Sequence, residues 1–123
     1  MRPYVVEKVT APDGSTVVTT KPDPLGRAVQ PQHAAEINQM MQAVVTGGTG
    51  TAAQIPGIKV AGKTGTAETG VVGKNQTWFI AFAPADNPKV AVAVTLSAQT
   101  GTGGTTAAPI AKAIMEAILR RNP

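Results

Sequence analysis

The chain has 123 residues, 42% of them hydrophobic and 15% charged, which is the composition of one globular domain rather than of a disordered segment. Its formal charge is +4 and it has no cysteine, so disulfides and thiolate metal sites are excluded. The longest basic run is Arg120-Arg121 and aromatics make up only 3%, so nothing resembles a nucleic-acid stripe and the excess charge reads as solvated surface.

In chain order, residues 1–30 read as a β-hairpin and loop. Tyr4 to Thr10 is rich in β-branched residues, "APDGS" carries turn chemistry, and "TVVTT" supplies the second strand. "KPDPLG" then breaks regular structure with two prolines. Residues 31–47 read as a helix, with Ile37, Met40, Met41, Val44 and Val45 on one apolar stripe expected to face the core and Gly47-Gly48 ending it. His33, near its start, is the only histidine, stands beside no carboxylate cluster, and reads as an exposed residue.

Residues 57–98 read as three strands. "IKVAGKT" is the first, "TWFIAFA" (Thr77 to Ala83) the second, and "KVAVAVTLS" (Lys89 to Ser97) the third. The third alternates Val90, Val92, Val94 and Leu96 with Ala91, Ala93, Thr95 and Ser97, and the small face is where a helix is expected to pack closely. Residues 105–121 read as a last helix, with Thr106 as N-cap and Pro109 in its first turn. Its buried stripe is expected to be Ile110, Ala113, Ile114, Ala117 and Ile118, with Lys112–Glu116 and Glu116–Arg120 as ion pairs. Short links between strands imply antiparallel pairing, so the fold class is α+β: a hairpin plus three consecutive C-terminal strands, packed against helices.

One stretch carries chemistry. "GIKVAGKTGTAE" satisfies the phosphate-loop string with Gly57, Gly62, Lys63 and Thr64, and it also contains Lys-Thr-Gly. The phosphate-loop alternative needs a strand before Gly57 and a helix after Lys63-Thr64. Pro56 stands before Gly57, and Gly65, Gly70 and Gly73 follow, so the context is wrong. As a strand, the segment makes chemical sense at a site edge: Lys63 offers a fixed charge, Gly65 leaves backbone bare, and Thr64 and Thr66 add hydroxyls. Alternation places Lys63 and Gly65 on one face and Thr64 and Thr66 on the other, with a twist or bulge at Gly65 as the device that could turn Thr66 toward a ligand.

"AGKTGTAE", then "TWFIAFAP", "PKVAVAV" and "GGTTAAPIAKAI", in that order, resemble the C-terminal part of the transpeptidase domain of penicillin-binding proteins, the monofunctional class B members most closely. "MMQAVVTGGTGTAAQIPG" and "RPYVVEKVTAPDGSTV" extend the resemblance over nearly the whole chain. The resemblance implies a mostly antiparallel sheet with helices, and a serine acyl transfer on D-Ala-D-Ala peptides that β-lactams intercept. It implies that Lys63 sets the electrostatics and helps hold a carboxylate, and that Thr64 is partly structural. It gives Gly65 the role of clearance, and Thr66 a carboxylate-binding hydroxyl and an oxyanion-hole N–H. Trp78 is expected at the pocket rim, and Glu68 and Lys74 in the loop after the motif. No cofactor or metal is implied, and because the family is bacterial the sequon Asn75-Gln76-Thr77 carries no glycan.

The chain has two serines, Ser15 and Ser97, and neither begins Ser-x-x-Lys or Ser-x-Asn. No nucleophile or base is therefore assigned here, and the chain reads as an incomplete transpeptidase fold, inactive alone. The partner expected through the exposed strand Lys89–Ser97 is the N-terminal part of the domain or a second copy, with stem peptides and β-lactams bound only by the complete domain. The expected location is the extracytoplasmic face of the bacterial membrane, with any signal or anchor upstream, since no stretch here approaches the ~20 apolar residues of a span. A non-catalytic binding module built on the same half-fold is the alternative function.

Overall fold

The computed structural model describes residues 2–121. They divide into two units, one ending at Pro31 and the other beginning at Gln32. In the first, strands β1 (Lys8–Thr10) and β2 (Thr16–Thr19) pair antiparallel as Lys8↔Thr19, Val9↔Val18 and Thr10↔Thr16, with a one-residue irregularity after Val9. The reversal is closed by Gly14 at φ +82° and by the Gly14 N–H donating to Ala11 O at 2.9 Å. The Asp13 carboxylate accepts from the Ser15 hydroxyl at 2.6 Å and from the Ser15 N–H at 2.9 Å. Those two bonds, the hydroxyl first, hold the Asp13 carboxyl below the usual aspartate range. The first strand is shorter than its β-branched run: residues 4–7 lie outside the ladder. Every residue of both strands is exposed, so the ribbon has no core of its own.

The second unit begins with helix α1 (Pro31–Thr46). Its last carbonyls are satisfied by the Gln54 side-chain amide, which donates to Val45 O at 2.9 Å and Thr46 O at 3.1 Å. The expected core stripe is only partly used. Val45 is buried, but Ile37 is 45% and Met40 61% exposed, because only the final turn of α1 reaches the core cluster.

After a short 3-10 turn (Thr51–Ala53) come β3 (Ala61–Ala67), β4 (Asn75–Ala83) and β5 (Val90–Gln99). They form one antiparallel sheet in the order β3-β4-β5, in keeping with the α+β expectation. β3 starts later than its apolar pattern suggested. Gly57 takes φ +75° and Ile58 bridges back to Ile55, so residues 55–58 make a turn and the strand begins only at Ala61.

The core lies between one sheet face and helix α2 (Ala108–Arg121). Phe79 and Met115 are fully buried, beside Val45, Val94 and Ala111. The side of α2 that packs inward is Ala108, Ala111 and Met115, with Leu119 half-buried. The stripe expected there, Ile110, Ile114 and Ile118, is instead 38–41% exposed, and Ala113 and Ala117 are exposed with it. The helix has two apolar sides, and close approach to the sheet selected the one with alanines. The small residues that permit that approach belong to the helix, while β5 turns its valine face inward and leaves Ala91, Ala93, Thr95 and Ser97 outside. The Glu116–Arg120 pair forms at 3.9 Å on the surface, worth a few tenths of a kcal/mol.

Two outcomes are expected. Met115→Ala lowers stability by about 2–5 kcal/mol in urea unfolding, whereas Ile114→Ala costs less than half as much. Ser15→Ala moves the Asp13 titration up toward the ordinary aspartate value, followed by carboxyl NMR. Since the folded carboxyl is the more acidic, its contribution to the turn is present above the ordinary aspartate range and fades as pH falls through the lowered value.

Candidate active site

Strand β3 is an outer strand, paired on one side only with β4. Its register is continuous: Lys63↔Ile80, Thr64↔Phe79, Gly65↔Trp78 and Thr66↔Thr77. Residues directly opposite each other share a face. Lys63, Gly65, Trp78 and Ile80 therefore occupy the outward face, and Gly62, Thr64, Thr66, Thr77 and Phe79 the face toward the core. No bulge interrupts the strand at Gly65, so the expected turning of Thr66 is not present.

On the outward face Lys63 is exposed, and its Nζ donates to the neighbouring Thr64 O at 2.6 Å. The ammonium thus lies close along the strand. Trp78 is 39% and Ile80 47% exposed beside it. An added Cβ on Gly65 would stand 3.3 Å from the Trp78 Cβ, so this glycine leaves a bare strip of backbone between Lys63 and the indole. The structure therefore brings Trp78 to the motif. Glu68 lies one residue past the end of β3 and is exposed. The loop that follows is closed by the Thr69 hydroxyl donating to Lys74 O at 2.6 Å.

The opposite face is held by hydroxyl pairs that sequence reading had not singled out. Thr64 Oγ1 lies 2.8 Å from Thr49 Oγ1, which ties the loop after α1 to β3. Thr77, fully buried, pairs with Thr106 Oγ1 at 2.8 Å. Thr66 Oγ1 accepts from the Gly103 N–H at 3.3 Å. Gly103 opens a π-type turn (Gly103–Ala107) that leads into α2 and packs behind β3. This turn moves the helix start: the Thr102 N–H donates to Thr105 Oγ1 at 3.0 Å, while Thr106, expected as the cap, donates from inside the turn to Thr102 O at 2.8 Å. The signal for these residues was present as two clusters of bare and hydroxyl residues, "TGGTGT" and "TGTGGTT", flanking the strands.

Lys63 and Thr64 sit inside an antiparallel strand with no helix after them, which rules out a phosphate loop at this motif. Among the described residues no group of His and acidic residues could hold a metal. A groove of about 580 Å³ lies elsewhere, lined by Val45, Gln54, Ile55, Ile58, Lys59 and Lys112, and includes none of the motif residues. The motif forms one wall, and one wall encloses no volume.

An outer antiparallel strand presents Lys-Thr-Gly, with a glycine-led turn and helix packed behind it. The profile of the penicillin binding protein transpeptidase domain matches residues 1–116, and the chain belongs to that family. It is 46% identical to the peptidoglycan D,D-transpeptidase PbpA of Mycolicibacterium smegmatis, over 98% of this chain and 26% of that protein. It is 43% identical to the PbpA of Mycobacterium tuberculosis, over 100% of this chain and again 26% of the relative. Among solved structures, it is similar to penicillin-binding protein A from M. tuberculosis in its imipenem acyl-enzyme complex. That match has a TM-score of 0.82 at 42% identity, over 96% of this chain and 26% of that one. The D,D-transpeptidase domain of a peptidoglycan glycosyltransferase from Eggerthella lenta matches with a TM-score of 0.80 at 36% identity, over 94% and 27%. The chain thus spans about a quarter of the length of these relatives.

The two glycines of the strand are expected to differ under substitution. A Cβ on Gly62 would fall 2.5 Å from Phe79 Cζ in the core, against the 3.3 Å contact at Gly65. Gly62→Ala should cost roughly 1–3 kcal/mol by overpacking. Gly65→Ala should cost clearly less, and thermal unfolding of the two variants compares them.

Proposed function

We propose that this chain supplies the Lys-Thr-Gly wall of a peptidoglycan D,D-transpeptidase, and that the serine nucleophile and its base come from a segment outside these 123 residues. The observation that carries the reading is the placement of Lys63 and Gly65 on the open face of an outer strand, with Trp78 beside them. The charge can hold a substrate or β-lactam carboxylate, and the free strand edge can take an extended stem peptide by backbone pairing. Gly65 lets that peptide lie against the backbone.

Thr66 contributes in two ways. Its N–H is assigned as an oxyanion donor, a contribution worth about 10²–10³ in rate. Its hydroxyl, engaged by Gly103 at 3.3 Å on the far face, reaches a carboxylate only by exchanging that long bond.

The serines present do not fit the nucleophile's role. Ser15 is bonded to Asp13 in the hairpin turn, and Ser97 lies exposed in β5. The free edge of β5 supports pairing with another strand, which we assign to the remainder of the domain, with a second copy as the substitute when that segment is absent. The exposed Ile37 and Met40 of α1, and Ile110, Ile114 and Ile118 of α2, support further cover of the same origin. The relatives' naming as peptidoglycan D,D-transpeptidases supports a location for the assembled enzyme on the extracytoplasmic face of the membrane. Among the described residues no helix is long and apolar enough to cross it.

The experiment is complementation. The chain is mixed with a segment bearing Ser-x-x-Lys, and acylation by benzylpenicillin is followed by mass spectrometry. The chain alone should form no adduct and the mixture should form one. Lys63→Met should cut the acylation rate by at least tenfold in the mixture. A stable adduct on the chain alone, or none on the mixture, would refute the reading.

A further inference from the structure

Behind the Lys-Thr-Gly strand are two positions where no side chain of any size fits. A Cβ on Gly103 would stand 2.1 Å from the Trp78 carbonyl oxygen, 2.6 Å from the Gly65 oxygen and 3.1 Å from the Gly65 nitrogen. A Cβ on Gly104 would stand 2.0 Å from the Thr49 carbonyl oxygen and 3.5 Å from Thr64 Cγ2. Each of the short distances is to backbone, which cannot rotate away. Neither glycine has a left-handed φ, so it is space and not conformation that demands them. Both are buried.

The turn they open is pinned at several points. The Gly103 N–H donates to Thr66 Oγ1, the Thr77 and Thr106 hydroxyls meet at 2.8 Å, and Thr106 also donates to Thr102 O at 2.8 Å. The backbone of Gly65 is therefore gripped from behind by Gly103 while its front is the bare strip beside Trp78. Where Gly103 stands decides how far residues 64–66 project toward a ligand.

We propose that Gly103 and Gly104 are positioning residues for the carboxylate-binding edge of this site. They touch no substrate. They act through the backbone of residues 64–66, setting where the Lys63 ammonium lies relative to a ligand carboxylate. The inference rests on the transpeptidase reading above. Inserting a methyl group at Gly103 must part the backbones by about an ångström, a misplacement that can cost on the order of 10² in rate even though no reacting group is removed.

The test uses the complemented protein, with benzylpenicillin and its carboxylate methyl ester as paired probes. The readout is the acylation rate for each and the ratio of the acid to the ester. A variant that merely loses folded protein slows both probes alike and leaves the ratio intact. Gly103→Ala is expected to slow the acid by roughly 10²-fold and the ester by much less, so the ratio falls. Thr77→Val, which is isosteric and removes only the hydroxyl tether to Thr106, is expected to shift the ratio in the same direction by a smaller factor. Gly47→Ala, where an added Cβ meets nothing within 4 Å, is expected to change neither.

No acylation of the unsubstituted mixture would overturn the transpeptidase reading, and this inference with it. Normal acylation of the mixture, with Gly103→Ala and Thr77→Val both keeping the unsubstituted ratio, would overturn the positioning role alone. Should Gly103→Ala not fold, an unchanged ratio in Thr77→Val overturns it.

Discussion

The architecture depends on strand β3 serving two surroundings at once. Its period-two alternation turns Gly62, Thr64 and Thr66 toward the core side and Lys63 and Gly65 outward, with no bulge between them. The inward residues must be small or able to satisfy their own hydroxyls, because Phe79 and the Gly103–Ala107 turn lie directly behind them. The outward residues must leave backbone open beside a cation. A one-residue slip would bury Lys63 and expose the glycine that Phe79 requires. The rest of the second unit can be understood as the support that prevents this slip.

That support is built mostly from absences of side chain. Gly62 admits the Phe79 ring, Gly103 and Gly104 admit backbone against backbone, and Ala108 and Ala111 let α2 settle onto the sheet. Hydroxyl pairs at Thr49–Thr64 and Thr77–Thr106 then fix what van der Waals contact alone would leave free to slide. Thr77, the buried member of these pairs, favours one arrangement, since any other leaves its hydroxyl unsatisfied at a cost of about 1–3 kcal/mol. A core with few aromatic residues is thereby given a unique geometry. The hairpin unit has no such support: its valines face solvent on both strands, and it holds its shape through turn chemistry at Asp13, Gly14 and Ser15.

Legibility varied with the kind of signal. The three strands and their pairing were readable because each link is short and each apolar run is of strand length and bounded by turn residues. The helices were readable as helices, but their buried sides were not. α2 carries isoleucines on one side and alanines with Met115 on another, and hydrophobicity alone points to the isoleucines. Contact distance decided otherwise, because only the alanine side permits the approach that the sheet demands. In α1 the stripe of Ile37, Met40, Met41, Val44 and Val45 is buried only at Val45, with Met41 and Val44 half-buried and Ile37 and Met40 exposed, because cover is a property of what lies opposite. The motif residues were legible as chemistry. The clusters holding Thr49, Gly103 and Gly104 were visible, but what those residues and Thr77 would meet was not, since composition marks a bare, hydroxyl-rich stretch and not its partner.

The residues themselves determined that this chain is an α+β sheet carrying Lys-Thr-Gly, and that it holds no Ser-x-x-Lys, because both are statements about covalent order and local periodicity. Tertiary structure alone decided that Trp78 flanks Gly65, that Thr66 turns its hydroxyl to Gly103, and that the helix after the sheet begins with two glycines pressed against the back of the motif. Those facts join residues as far apart along the chain as Thr64 and Gly104. No local preference encodes such a distance, and only the packing of the sheet against α2 brings the ends together.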